Sequence, residues 1–371
     1  MERFTIQIPD AILDDLRERL RRTRFPPAIP GTGWSQGVDA DWLREAVRHW
    51  AERYDWRTAE REMNRWTHLR TEISGNPIHF IHAPSPQADA VPLIVTHGWP
   101  GSFLEMMRVL PLLVDAGFHV VVPSLPGFGF SAPLRRTGVS LWSIADLWAE
   151  LMTRLGHGRF IAQGGDLGAG VSTCLGLRHP DRLIGLHLNY IPGSYRPDPA
   201  GPEPTAEEQA FLASAEAWYS ADGGYWHEQA TRPATIGAAL DDSPAGLLAW
   251  IGEKLREWSD CGGDLERRFS LDEVLTHVTL YWITQTATSS SRLYYETRLH
   301  PVRFAAGDRV RVPTAVARFP LEAPFPPRSW IERGYDVHRF TEMPRGGHFA
   351  AWEEPELLAG DLRAFLGQLT T

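Results

Sequence analysis

The chain has 371 residues, of which 43% are hydrophobic and 22% charged, and its formal net charge is −9. This composition is ordinary for a globular protein, and the negative charge argues against nucleic acid as a partner. Two cysteines, Cys174 and Cys261, are too few for a disulfide framework or a zinc knuckle. Lys254 is the only lysine, and its helix-like surroundings predict a solvated helix face rather than a Schiff base.

Signals for export and membrane insertion are missing from the sequence. The N-terminal residues lack the apolar stretch of a signal peptide, and no apolar run approaches the length that spans a bilayer. We therefore expect a cytoplasmic protein without a membrane anchor. The oligomeric state is left open, a homo-oligomer included.

Residues 1–88 are predicted to form an N-terminal meander region, in which helices precede a small hairpin between residues 70 and 82. Apolar residues recur at helical spacing in the first segment: Ile12, Leu13, Leu16 and Leu20. A second set is predicted to share one helix face: Trp42, Leu43, Val47 and Trp50.

From residue 89 the pattern alternates between strand and helix. Buried strands are predicted at 93–96, 118–122, 159–162 and 183–188, and an amphipathic helix is predicted to end at Gly156. Residues 193–303 are helical in pattern and rich in Trp and Tyr, and strands resume in 304–371. This order predicts a mostly parallel sheet with helices on both faces, formed by 89–192 and 304–371, with 193–303 inserted as a helical cap over the strand ends.

The hexapeptide QGGDLG at 163–168 follows a predicted strand and precedes a predicted helix. Small residues on both sides of one exposed side chain are typical of a nucleophile elbow, in which glycines permit the sharp turn. The side chain at its tip is Asp166, where a serine hydrolase would have Ser. Because a carboxylate displaces a leaving group at a saturated carbon, Asp166 predicts alkyl rather than acyl chemistry.

Two further motifs fit this elbow. HGWPGS at 97–102 directly follows a predicted strand, and in this architecture the N–H groups of Trp99 and Leu167 would form the oxyanion hole. His97 is interpreted as structural. RGGHF at 345–349 supplies the late histidine, His348, which we prefer to His338 because His338 lies within a strand pattern.

The acid that orients the histidine should follow the strand ending near residue 319. Glu322 is the first carboxylate there, with Glu332 and Asp336 as alternatives, and it would stabilise the imidazolium form of His348. An epoxide would also need a proton donor for its departing oxygen, and tyrosines can serve in an apolar pocket. Two tyrosines of the predicted cap are candidates: Tyr225 and Tyr294.

Taken together, the motifs resemble those of epoxide hydrolases of the α/β-hydrolase fold, in the microsomal-type branch but in a soluble form. The resemblance covers nearly the whole chain. It is carried by HGWPGS (97–102), GGD (164–166), FPLE (319–322), GGHFAA (346–351), Trp34, Trp50, YDWR (54–57), DSPAGL (242–247) and EKL (253–255). The chain departs from the pattern at Leu167, where many relatives have Trp.

The resemblance implies that Asp166 is the nucleophile, Glu322 the orienting acid and His348 the base. It aligns Tyr225 and Tyr294 with the two proton donors. The residues expected to contact the substrate are Trp99, Leu167 and Phe349. The implied reaction converts an apolar epoxide and water to a vicinal diol through a hydroxyalkyl ester, without metal or organic cofactor, in detoxification or in secondary metabolism.

Three other interpretations were weighed. A haloalkane dehalogenase would use the same aspartate and histidine, but Leu167 offers no side-chain N–H to a halide. A serine esterase is disfavoured because Ser102 and Ser124 do not occupy an elbow. A non-catalytic binding protein on this scaffold predicts a broken triad, whereas all five catalytic positions are filled.

Overall fold

A computed structural model describes residues 1–369, and its centre is one mixed sheet. The strands are β1 (Glu2–Phe4), β2 (His68–Ile73), β3 (Asn76–Ala83), β4 (Val91–Thr96), β5 (Phe118–Pro123), β6 (Phe160–Gly164), β7 (Leu183–Leu188), β8 (Val310–Arg318) and β9 (Tyr335–Glu342). Their order is β1-β2-β3-β5-β4-β6-β7-β8-β9. Strand β2 pairs with β1 and β3, and β3 pairs with β5, all antiparallel. The remaining neighbours in this order, from the β5–β4 pair to the β8–β9 pair, are parallel.

Helices surround the sheet. Those that lie between β7 and β8 in the sequence form a separate layer. They are α1 (Asp10–Arg21), α2 (Ala40–Glu52), α3 (Trp56–Met63), α4 (Leu110–Asp115), α5 (Leu141–Arg154), α6 (Asp166–Arg178), α7 (Ala206–Asp222), α8 (Gly224–Thr231), α9 (Pro233–Leu240), α10 (Pro244–Trp258), α11 (Leu271–Thr284), α12 (Ala287–Leu299), α13 (Arg328–Glu332), α14 (Ala350–Glu353) and α15 (Pro355–Leu369). The segment 193–303 contains α7–α12 and no strand, and the fold class predicted from the sequence is confirmed.

The core strands are apolar because helices cover both faces of the sheet. In β4 the segment 93–96 is fully buried, as is the whole of β6, so neither strand shows the alternation of a half-exposed strand. Helix α5 is capped at its N-terminus by Ser140, whose hydroxyl accepts from the Ser143 N–H in a capping box. It ends before Gly156, whose φ of 85° allows the chain to leave the helix.

The N-terminal region secures the cap. Trp50 of α2 donates its indole N–H to Thr279 of α11 at 3.0 Å, and the Tyr54 hydroxyl lies 2.9 Å from that of Thr276. Both bonds join segments more than 200 residues apart in the sequence. The meander region therefore fixes the position of a cap helix relative to the sheet.

The helix predicted around Leu13, Leu16 and Leu20 is α1, in which these three residues face the core and Ile12 is 37% exposed. One local expectation was wrong. Lys254 is only 6% exposed, because the face of α10 that carries it packs inside the cap. Among the helices of residues 1–369, none is both long and apolar enough to cross a membrane.

Candidate active site

Asp166 stands at a tight turn between β6 and α6. Its φ is 46°, in the left-handed region that side-chain-bearing residues rarely adopt, at a cost of about 1–3 kcal/mol. Two glycines make the turn possible. A Cβ on Gly164 would collide with the Gly168 backbone, and one on Gly168 would collide with the Thr96 carbonyl oxygen. The turn aims the Asp166 carboxylate away from the sheet edge.

Two backbone N–H groups point at this carboxylate. Trp99 N–H donates to Asp166 Oδ1 at 2.8 Å, and the Leu167 N–H also donates to Asp166. The loop that carries Trp99 is held by His97, whose Nδ1 donates to the Gly98 carbonyl oxygen at 2.9 Å and whose Nε2 accepts from the Leu125 N–H at 3.1 Å. His97 therefore has the structural role that the sequence predicted for it.

His348 lies between two carboxylates. Its Nε2 is 3.7 Å from Asp166 Oδ2, and its Nδ1 is 2.9 Å from Glu322 Oε2 and 3.1 Å from Oε1. The backbone N–H of His348 donates to the Trp258 carbonyl oxygen at 2.8 Å, which ties the histidine loop to the end of α10. With Nδ1 bonded to Glu322, Nε2 is the ring nitrogen that faces Asp166.

Burial and neighbouring charges shift the pKa values of these groups in opposite directions. Burial lowers the pKa of His348, but the Glu322 carboxylate, with a smaller contribution from Asp166, raises it to about 9. Burial raises the pKa of Asp166, while His348 and the two N–H donors counteract that rise. Burial likewise raises the pKa of Glu322 against the opposing effect of His348. The histidine thus favours its charged form as long as both carboxylates are ionised.

Tyr225 and Tyr294 line the same cavity as Asp166. The Tyr225 ring stacks on Trp99 with centroids 5.3 Å apart and an interplanar angle of 7°, and Tyr294 is perpendicular to it at 6.0 Å. Burial raises the pKa of both phenols well above the ordinary value, and the negative charge of Asp166 adds to the effect. Both hydroxyls are therefore protonated near neutral pH and available as donors.

A cavity of about 790 Å³ opens from Asp166 into the cap. Its lining includes Asp166, Leu167, Glu322, His348, Tyr225 and Tyr294. Aromatic side chains add to it from the cap, among them Trp218, Tyr219 and Trp226. The volume is that of a pocket for a drug-sized molecule.

Other residues considered from the sequence lie elsewhere. Glu332 pairs with Arg328 at 2.6 Å, and Asp336 pairs with His338 at 3.1 Å, all on partly exposed surface. The Ser102 hydroxyl caps a short helical turn, and that of Ser124 lies 2.9 Å from His79. Neither serine has the geometry of an elbow nucleophile.

Trp258 was not singled out from the sequence, yet it touches several site residues. Its ring lies 5.0 Å from Tyr225 and 5.2 Å from His348. Phe349 stacks behind Trp258 at 6.4 Å and does not line the 790 Å³ cavity, and Trp99 supports Tyr225 from below. A tryptophan at the end of an amphipathic helix carries no local signal that could have distinguished Trp258 from packing residues.

Residues 1–369, which the structure describes, contain no cluster of three or more His, Cys, Asp or Glu residues arranged to hold a metal ion. The polar groups of the site are instead a carboxylate at an elbow, two N–H donors, a His–Glu pair and two phenols.

Comparison with known proteins places this chain in a family. Residues 1–106 match the family model of the epoxide hydrolase N terminus, and residues 91–219 match that of the alpha/beta hydrolase fold. A provisionally named epoxide hydrolase of Stigmatella aurantiaca (strain DW4/3-1) is 44% identical, over 99% of this chain and 84% of its own length. Epoxide hydrolase 1 of Sus scrofa is 36% identical, over 99% and 88%. The structure of Aspergillus niger epoxide hydrolase matches with a TM-score of 0.87 and 35% identity, covering 99% of this chain and 96% of that one. The chain belongs to the epoxide hydrolase family.

Proposed function

We propose that this protein converts epoxides to vicinal diols in two stages, through a covalent ester on Asp166. The observation that carries the proposal is that the two oxygens of this carboxylate have different neighbours. Oδ1 accepts from the Trp99 N–H at 2.8 Å, whereas Oδ2 is 3.7 Å from His348 Nε2. One oxygen is thus held for charge stabilisation, and the other is available to attack.

In the first stage, Asp166 Oδ2 forms a bond to a ring carbon as the carbon–oxygen bond of the epoxide breaks. The departing oxygen takes a proton from Tyr225 or Tyr294, both of which line the cavity beside Asp166. A phenol suits this role because it donates without placing a positive charge in an apolar pocket. The product of the stage is a hydroxyalkyl ester of Asp166.

In the second stage, water attacks the carbonyl carbon of the ester while His348 Nε2 takes its proton. Negative charge then develops on Oδ1, which already accepts from the Trp99 N–H, and the Leu167 N–H bonds the same carboxylate. Collapse of the tetrahedral species expels the diol oxygen, which takes the proton back from His348. Glu322 stabilises the imidazolium throughout.

The first stage prepares the base for the second. Ester formation removes the negative charge of Asp166, which is one of the charges that raise the pKa of His348. The pKa of His348 should therefore fall below its value of about 9 once the ester has formed. Ester formation thus favours the neutral form of His348, which is the form that can accept a proton from water in the second stage.

The substrate class follows from the lining of the cavity. Its volume of about 790 Å³ and the aromatic rings of the cap favour a bulky apolar or aryl epoxide, with Leu167 as part of the wall. Phe349 would act indirectly, through the packing of Trp258.

A labelled-water experiment tests the covalent pathway. Enzyme in excess over a styrene-type epoxide is reacted once in ¹⁸O water. We expect an unlabelled diol oxygen in that turnover and ¹⁸O in the Asp166 peptide, because the transferred oxygen comes from the carboxylate. Label in the first diol with none in Asp166 would contradict the proposal.

A trapping variant gives an independent measurement. His348→Gln should form the ester and fail to hydrolyse it, so intact-protein mass spectrometry should show an adduct equal to the substrate mass, located on Asp166. Consumption of the epoxide by His348→Gln without any adduct would refute the assignment of Asp166. Release of halide from a haloalkane, without diol formation from epoxides, would favour dehalogenation instead.

A further inference from the structure

A second, much smaller cavity adjoins the catalytic groups and is lined by the core rather than by the cap. Its volume is about 20 Å³, and both Asp166 and His348 reach its wall. A polar cavity larger than roughly 10–15 Å³ holds one water molecule. The space is therefore suited to a single water and is too small for the organic substrate.

Gln163 lines this cavity and carries an acceptor for which no described residue provides a donor. Its side chain is 1% exposed, and its Nε2 donates to Asn189 Oδ1 at 2.7 Å. Within residues 1–369, its Oε1 is buried and has no hydrogen-bond partner among the protein atoms. Because buried carbonyl groups are almost always paired, this oxygen calls for a donor that the protein itself does not provide.

Other polar side chains on the wall have partners within the protein. Glu105 Oε1 accepts from the Ser102 N–H at 3.1 Å, in the capping box that follows the Trp99 loop. Asn189 Oδ1 accepts from Gln163, and both ring nitrogens of His97 are hydrogen-bonded. Beside Asp166, Gln163 Oε1 and the Nε2 of a neutral His348 can each accept a hydrogen bond from a water.

We propose that this cavity is the binding site of the hydrolytic water, and that Gln163 Oε1 is the acceptor that orients it. A water molecule has two hydrogens, and the site offers one acceptor for each. The hydrogen on His348 Nε2 is the one transferred, and the hydrogen on Gln163 stays with the nucleophile. The lone pair of the water then faces the carbonyl carbon of the Asp166 ester. The inference rests on the proposed two-stage function.

The chemistry of the step balances with these groups alone. The water oxygen bonds to the Asp166 carbonyl carbon, one proton passes to His348, and the ester bond to the diol oxygen breaks. That oxygen receives the proton from His348, and the second hydrogen of the water remains on the regenerated carboxyl group. When this group ionises, its proton replaces the one that Tyr225 or Tyr294 gave up in the first stage. Gln163 neither gains nor loses a proton and acts as a positioning residue.

The test separates the two stages in a single turnover. Gln163→Met keeps the bulk of the side chain and removes the acceptor. We expect hydrolysis of the ester to slow by about tenfold or more, with less than about a threefold change in ester formation, so that the covalent adduct accumulates. Gln163→Glu restores an acceptor oxygen and should recover most of the hydrolysis rate.

Ser172→Ala is the matched control. Ser172 lies on α6 just beyond the elbow, and its hydroxyl is likewise buried without a partner among the described residues, but it does not line the small cavity. This variant should leave both rates within about twofold of wild type. A similar loss of hydrolysis in Ser172→Ala would show that any buried polar deletion near the elbow has the effect, and would overturn the assignment to Gln163.

The two hypotheses fail differently. If wild-type enzyme forms no Asp166 ester, the proposed function is wrong. If the ester forms and Gln163→Met hydrolyses it at the wild-type rate, only the water site is wrong. Should Gln163→Met fold poorly, a high-resolution crystal structure of the wild-type enzyme decides: we expect a water within about 3.2 Å of both Gln163 Oε1 and His348 Nε2. A cavity without that water would overturn the inference.

Discussion

Replacement of Glu322 by Gln tests how much the buried carboxylate contributes to base catalysis. Glu322 contributes most to raising the pKa of His348 from the ordinary value of 6.5 to about 9, with smaller contributions from Asp166 and Glu105, in spite of burial, which lowers it. At 1.36 kcal/mol per pH unit, this difference corresponds to about 3 kcal/mol in favour of the imidazolium. Glu322→Gln keeps the shape and loses the charge, so hydrolysis should slow by roughly two orders of magnitude.

Rapid mixing of excess enzyme with a styrene-type epoxide measures this effect. Quenched samples analysed by intact-protein mass spectrometry give the rise and decay of the Asp166 ester. In Glu322→Gln the rise should be nearly unchanged, because Asp166 and the tyrosines remain in place, and the decay should be slow. The hydrolysis rate should also reach its plateau at lower pH than in the wild type, because the His348 pKa falls and the neutral base forms earlier.

Glu332→Gln is the control, since Glu332 is the last residue of α13, also lies between β8 and β9, and pairs with Arg328 on the surface. Both stages should proceed in this variant as in the wild type. A hydrolysis rate of Glu322→Gln within tenfold of the wild-type rate would refute the reasoning, because the carboxylate would then contribute little to the stability of the imidazolium. Equal losses in both stages would also refute it.

Two further predictions concern groups outside the triad. Lys254 Nζ lies 5.0 Å from the centroid of the Tyr225 ring. Lys254→Met should therefore slow ester formation about threefold to tenfold and leave hydrolysis of the ester unchanged. A single-turnover rate of ester formation equal to that of the wild type would contradict this. Asp361 accepts from Arg339 at 2.7 Å in a buried site, so Asp361→Asn should lower the free energy of unfolding by about 3–5 kcal/mol in urea titrations, against under about 0.5 kcal/mol for the exposed Asp336→Asn. Burial raises the pKa of Asp361, but its hydrogen-bond donors lower it overall, so this wild-type advantage should be present above about pH 4 and disappear as the pH falls further.

The sequence by itself determined the features that depend on neighbouring residues. A glycine-flanked carboxylate between a strand and a helix predicts the elbow because the turn is a property of a few consecutive φ and ψ angles. Alternating strand and helix patterns predicted the parallel sheet and the inserted cap for the same reason. The late histidine at His348 could be found because chain order in this architecture restricts where it occurs.

Only the tertiary structure decided which side chains are covered and what they face. The periodicity of α10 could not predict the burial of Lys254, because the rings over which it lies, Tyr225 and Trp258, belong partly to another helix. Gln163 lies within β6, whose sequence has the pattern of a buried core strand. That its Oε1 lacks a hydrogen-bond donor among the described residues depends on a cavity whose wall also includes Asp166 and His348. Burial and hydrogen-bond satisfaction are set by contacts between segments far apart in the chain, which local sequence patterns do not encode.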